Sequence, residues 1–167
     1  MRKQERYALT IEKLKELFPN ADTELHYETP FQLLVAVILS AQCTDKRVNI
    51  VTPALFERYA SVKSMAESSQ EEIYSYIKSI SYPNSKSRNL KKMAERLHEV
   101  YHDEIPDDPQ ELQTLAGVGR KTAMVILAVL YKRAVMPVDT HVHRVSARIG
   151  LTLGAKNVLE TERQLLS

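Results

Sequence analysis

The sequence predicts an all-α fold, and three observations carry that expectation. Apolar residues recur at intervals of three and four along most of the chain, helix-start patterns of a capping residue followed by proline or an acid punctuate it, and no pair of segments alternates apolar and polar residues as paired strands would. Its 167 residues, 44% of them hydrophobic, suffice to bury a core as one globular unit or as two small lobes. The single cysteine, Cys43, excludes a disulfide framework and an all-cysteine metal cage within the chain. No apolar run is long enough to cross a bilayer, and the polar start Met1 to Arg6 lacks the apolar region of a secretion signal, so the expectation is a cytoplasmic protein without a membrane partner.

Taken in order, Tyr7, Ile11, Leu14 and Phe18 fall on one helical face, which Pro19-Asn20 ends. Thr29-Pro30-Phe31-Gln32 supplies an N-cap, a first-position proline and the glutamine of a capping box. The run from Phe31 to Leu39 is apolar nearly all round and predicts a central buried helix, its β-branched content being outweighed by the capping signal and the lack of a partner strand. Ser40 to Asp45 then reads as a helix end and the cap of the next helix, which carries Val48, Val51, Leu55 and Tyr59. Pro53 is expected to kink that helix or to begin a new one capped by Thr52.

Ser69-Gln70-Glu71-Glu72 is a capping box for a helix with Ile73, Ile77 and Ile80 inside. Ser81 to Lys86 predicts an interrupting turn, after which Leu90, Met93, Leu97 and Val100 mark another helix. Asp108-Pro109-Gln110-Glu111 opens the first arm of a hairpin, which ends in Leu112 and Leu115. The second arm is expected from Arg120 to about Leu130, burying Val125, Ile126 and Val129. Val138-Asp139-Thr140-His141 caps a helix with Val142, Val145 and Ile149, and Asn157 opens a last one running to Ser167.

The functional signal lies where the two arms meet. Gly117-Val118-Gly119 suits a tight turn, because glycine takes φ > 0 freely and leaves backbone amides unobstructed. The start of the following helix, with its unpaired amides and positive dipole end, favours an anion such as a phosphate. From Ala116 to Arg148 the basic residues Arg120, Lys121, Lys132, Arg133, Arg144 and Arg148 face one acid, Asp139, within a chain whose net charge is only +2. Basic charge is therefore concentrated here, as phosphate binding requires.

The tract Leu115-Ala116-Gly117-Val118-Gly119-Arg120-Lys121-Thr122-Ala123, with Val138-Asp139-Thr140-His141 following, resembles the endonuclease III family of helix-hairpin-helix DNA glycosylases and AP lyases, with Ala116 where that family commonly has proline. The likeness extends to Leu39-Ser40-Ala41-Gln42-Cys43-Thr44-Asp45 and to Asn84-Ser85-Lys86, and so covers most of the chain. It implies the helix-hairpin-helix DNA glycosylase fold: two helical lobes with the active-site cleft between them, the second lobe incomplete here. On that reading residues 1–25 belong to the second lobe, residues 26–138 form a six-helix-type lobe with the hairpin at about 108–130, and residues 139–167 carry the aspartate helix and the start of the return to the second lobe.

The resemblance further implies a bifunctional base-excision enzyme that removes oxidised pyrimidines and nicks the strand by β-elimination. The implied catalytic residues are Lys121 and Asp139. Only a neutral amine can attack the sugar, and Arg120 together with the helix's positive end disfavours the ammonium form of Lys121, with partial burial expected to add to this. Asp139 would stabilise positive charge on the sugar and help to deprotonate the lysine. Gln42 would fill the gap left by an everted nucleotide, Tyr82 stands where a wedge leucine is common, and Thr44, Asn84, Lys86, Gly117, Val118, Gly119, Arg120, Thr122, His141 and Arg144 would contact DNA.

His141, Arg144 and Arg148 share one basic helix face, whereas His143 points elsewhere and is expected to be an ordinary hydrogen-bonded histidine. Relatives hold a [4Fe–4S] cluster on four cysteines that this sequence lacks, which implies a truncated form or fragment, no cofactor or metal in this chain, and a cluster only in full-length relatives. The implied partner is double-stranded DNA carrying damaged pyrimidines or abasic sites, met in the nucleoid by an enzyme that is monomeric when full length. The alternatives are a catalytically impaired helix-hairpin-helix DNA-binding module and a monofunctional glycosylase, although the latter generally lacks the hairpin lysine.

Overall fold

The computed structural model describes residues 2–167, and its regular structure is helical throughout, with no strand among the described residues. The chain divides into two units: one runs from Glu24 to Lys132, and the other joins the residues up to Thr23 with Arg133–Ser167. Arg133 to Val138, expected with the larger unit, therefore belong to the smaller one.

The larger unit is built around α2 (Pro30–Ser40). The Thr29 hydroxyl caps it by accepting from the Gln32 amide at 3.2 Å, and the Gln32 side chain accepts from the Glu28 amide at 2.7 Å, one residue before the cap. All nine residues from Phe31 to Leu39 are buried, so α2 is a core rod rather than an amphipathic stripe. Packed on it are α3 (Asp45–Arg58), α6 (Pro83–Tyr101) and α8 (Arg120–Leu130), while α4 (Val62–Ala66) and α5 (Gln70–Ile77) pack on α6. Fully burying leucines such as Leu34, Leu39 and Leu55 stabilises the fold by about 1.5–3 kcal/mol each.

Several sequence expectations are corrected here. α3 continues unbroken through Pro53, and Thr52 is buried inside it instead of capping a new helix. The one-turn α4, capped by Ser61, was not anticipated. The turn expected to run to Lys86 ends at Tyr82, so Asn84, Ser85 and Lys86 form the first turn of α6. In α8 the buried residues are Ala123, Met124, Ile126 and Leu127, whereas Val125 and Val129 are only half-buried. Val100 of α6 is 49% exposed.

The smaller unit contains α1 (Lys3–Leu17), α9 (Thr140–Arg148) and α10 (Val158–Leu165), the last ending two residues short of expectation. Its core is Val138, Leu151 and Leu165, with Tyr7, Met136 and Val142 against them. No residue of α1 is buried. The helix is held instead by polar contacts, Tyr7 Oη donating to the Leu165 carbonyl and Arg6 Nη1 to the Gly150 carbonyl, both at 3.0 Å.

Candidate active site

The hairpin is assembled by α7 (Pro109–Leu112), a turn, and α8. Asp108 caps α7 by accepting from the Gln110 and Glu111 amides at 2.8 and 3.0 Å. The two glycines of the turn do different work. Gly117 sits at φ +83°, where side chains are disfavoured, and a Cβ there would lie 3.2 Å from both the Ile38 Cγ2 of α2 and the Asn89 Cβ of α6. Gly119, expected to share that role, is extended at φ −89° and N-caps α8, with nothing within 4 Å of a Cβ placed on it.

Val118 turns inward: it is 6% exposed, and its amide donates to the Leu115 carbonyl at 3.1 Å, so neither its side chain nor its N–H is offered to DNA. Arg120 and Lys121 occupy the first turn of α8 with exposed side chains, and Thr122 behind them is half-buried. Lys121 therefore lacks the partial burial expected of it. The amides of that turn lie at the positive end of an eleven-residue helix, a geometry suited to a phosphate oxygen.

The hairpin lies against the end of α2, and the turn that leaves α2 carries Gln42. There the Cys43 amide donates to the Ser40 carbonyl at 3.0 Å, Gln42 adopts the left-handed conformation at φ +53°, and its side chain is exposed. Thr44 caps α3 through the Arg47 amide at 3.3 Å. Tyr82, 65% exposed and also left-handed at φ +56°, precedes α6, with Asn84 exposed beside it.

Lys86 is a correction. Its side chain is 6% exposed, and Nζ donates to the carbonyls of Leu39 at 2.8 Å and Ala41 at 2.6 Å, at the carbonyl end of α2. It is spent inside the protein and does not neutralise a phosphate. Burial holds its pKa below the usual lysine value. The sequence reading also passed over Ile38 and Asn89, the wall that holds Gly117 in place. An apolar helix residue and an asparagine three positions after a lysine carry no pattern that would single them out.

In the smaller unit, Asp139 caps α9, its Oδ1 accepting from the His141 and Val142 amides at 3.0 and 2.9 Å. The carboxylate's orientation is thus fixed by the helix it starts. His141 and Arg144 are exposed on α9, with Arg144 Nη2 3.2 Å from His141 Nδ1. His143 is half-buried and hydrogen-bonded to the Thr161 hydroxyl at 2.6 Å, the ordinary role expected for it.

A [4Fe–4S] cluster needs four thiolates. The sequence has one cysteine, and among the described residues no three His, Cys, Asp or Glu side chains converge as a metal site, so these residues do not fit the cluster. No described helix is long and apolar enough to cross a membrane.

An all-helical chain with a basic hairpin and an aspartate-capped helix defines a class of protein. The model of the HhH-GPD superfamily of base excision DNA repair proteins matches residues 35–167. Within that class, endonuclease III of Bacillus subtilis is 43% identical over 156 residues, covering 93% of this chain and 71% of its own length. Endonuclease III of Synechocystis is 47% identical over 154 residues, covering 92% and 70%. A solved endonuclease III–DNA covalent intermediate, trapped as an estranged-adenine complex, superposes with a TM-score of 0.92 at 42% identity, covering 99% of this chain and 78% of that one. The chain belongs to the endonuclease III family of base-excision DNA glycosylases and lyases.

Proposed function

We propose that the chain acts on double-stranded DNA carrying damaged pyrimidines or abasic sites, with Lys121 as the nucleophile and Asp139 as the group that stabilises charge on the sugar. The observation that carries this reading is the exposed lysine in the first turn of α8, directly after the Gly117-Val118-Gly119 turn, in a sequence matching a protein trapped covalently on DNA. Attack requires the neutral amine of Lys121. Nζ then attacks C1′, the glycosidic electron pair leaves with the base, and the base takes up a proton. Opening of the sugar leaves a Schiff base between Nζ and C1′. Loss of a C2′ proton forms the C2′–C3′ double bond as the C3′–O bond breaks, releasing the 3′ phosphate.

Gln42 and Tyr82 are assigned to the base stack, the first filling the vacated position and the second pressing into the opposite strand, where an aromatic ring can stack. Arg120, His141 and Arg144 hold phosphates, together with the first-turn amides of α8. The full-length enzyme works as a monomer at the nucleoid, and no cluster is assigned to these residues. Borohydride reduction during incubation with an abasic-site duplex tests the central step. A covalent adduct is expected from this chain and none from Lys121→Ala; binding without an adduct would leave only a helix-hairpin-helix DNA-binding module.

A further inference from the structure

Five exposed non-glycine residues of the larger unit hold left-handed backbones, Gln42, Tyr82, His102, Asp103 and Lys132; the first two, at φ +53° and +56°, are those assigned to the base stack. Such conformations persist only where the surroundings enforce them, and they concentrate at sites that work on a ligand. One residue touches the turns of both. The backbone amide of Lys86 donates to the Tyr82 carbonyl at 3.0 Å, closing the first turn of α6, and its Nζ donates to the carbonyls of Leu39 and Ala41. Leu39 lies inside α2, whereas Ala41, at φ −57° and ψ +116°, is where the chain leaves the helix just before Gln42.

We propose that Lys86 is a positioning residue that fixes the spacing between Gln42 and Tyr82, and so governs eversion of the nucleotide rather than the bond-breaking that follows. An ammonium suits the task because it brings three donors to the end of a helix, where the last carbonyls lack intrahelical partners and the dipole favours a cation. A hydrophobic side chain of equal length would leave those carbonyls unsatisfied and let the turn between Ser40 and Cys43 shift. Lys86 is nearly fully buried, so its effect on DNA has to pass through the two turns it joins.

The inference rests on the assignment of Gln42 and Tyr82 to the base stack, and its test separates the two. Single-turnover base release from a damaged duplex is compared with borohydride trapping on a pre-formed abasic site, and 2-aminopurine fluorescence beside the lesion reports eversion. Lys86→Met is expected to lower the ratio of base release to trapping about 10- to 100-fold, the scale on which a misplacement of about 1 Å acts, and to reduce the fluorescence signal. Combining it with Gln42→Ala is expected to add little to Gln42→Ala alone, because the two changes act through one turn.

Equal losses of release and trapping, or fully multiplicative effects in the double variant, would overturn the inference. If Gln42→Ala and Tyr82→Ala impair eversion and Lys86→Met does not, the positioning role alone fails. If neither probe variant affects eversion, the base-stack assignment fails and the positioning role with it. Lys86→Gln, with two donors on a shorter stem, replaces Lys86→Met should that variant not fold, and is read in the same way.

Discussion

Replacing each hairpin glycine by alanine separates the part of the turn that holds the fold from the part assigned to DNA. At Gly117 a side chain must enter the left-handed region, costing about 1–2 kcal/mol. Its Cβ would also stand 3.2 Å from Ile38 Cγ2 and Asn89 Cβ, atoms of two packed helices that would have to give way. Crowding of that kind costs about 1–3 kcal/mol, and the stiffer unfolded chain returns about 0.4–1 kcal/mol, so Gly117→Ala is expected to destabilise by about 1–4.5 kcal/mol. Gly119 has an ordinary extended backbone and open space around it, so Gly119→Ala is expected to change stability by less than about 0.5 kcal/mol. Yet its new methyl would occupy the approach to the α8 amides, and a tenfold loss of DNA affinity corresponds to about 1.4 kcal/mol. Urea unfolding followed by circular dichroism gives the first quantity, and anisotropy of a labelled duplex at fixed salt gives the second. Equal destabilisation by the two variants, or unchanged binding by Gly119→Ala, would refute the division of labour.

Asp139→Asn keeps an oxygen for the His141 and Val142 amides, so α9 should stay capped, whereas base release in single turnover is expected to fall about 100- to 1000-fold with DNA binding retained; unimpaired release would remove Asp139 from the chemistry. Tyr59 is fully buried, its hydroxyl makes no hydrogen bond of good geometry although Ser68 lies near it, and burial raises its pKa above the usual phenol value. The folded state therefore favours the neutral phenol, and Tyr59 contributes a loss of stability as pH rises past the unfolded value of about 10 toward the higher folded one. Tyr59→Phe is expected to leave stability at pH 7 equal or up to about 1 kcal/mol higher and to weaken the alkaline loss; a clear destabilisation in a urea series at pH 7 would show that the hydroxyl is satisfied.

The helix starts were the most legible part of the fold, because Thr29, Ser69, Asp108, Asp139 and Asn157 each cap with a local hydrogen bond that depends on neighbouring residues alone. Position within a helix was less so. Pro53 breaks a helix by local rules, yet α3 continues through it beside the buried Val51, Thr52 and Leu55, and Val125 and Val129 fall on a face of α8 decided by what α2 presents. At the site, the hairpin, Gln42, Tyr82 and Asp139 could be picked out by motif. The inward turn of Lys86 and Val118 could not, since the carbonyls that engage Lys86 lie more than forty residues earlier in the chain.

The smaller unit is discontinuous, and this orders the events of synthesis. Glu24–Lys132 is one uninterrupted stretch, complete as soon as its last residue clears the ribosome. α1 precedes the larger unit in the chain, yet its anchors are carbonyls at Gly150 and Leu165, which do not exist until the larger unit has emerged. Non-local closure of this kind is slow. α1, made ahead of the larger unit, accordingly docks only after that unit is complete.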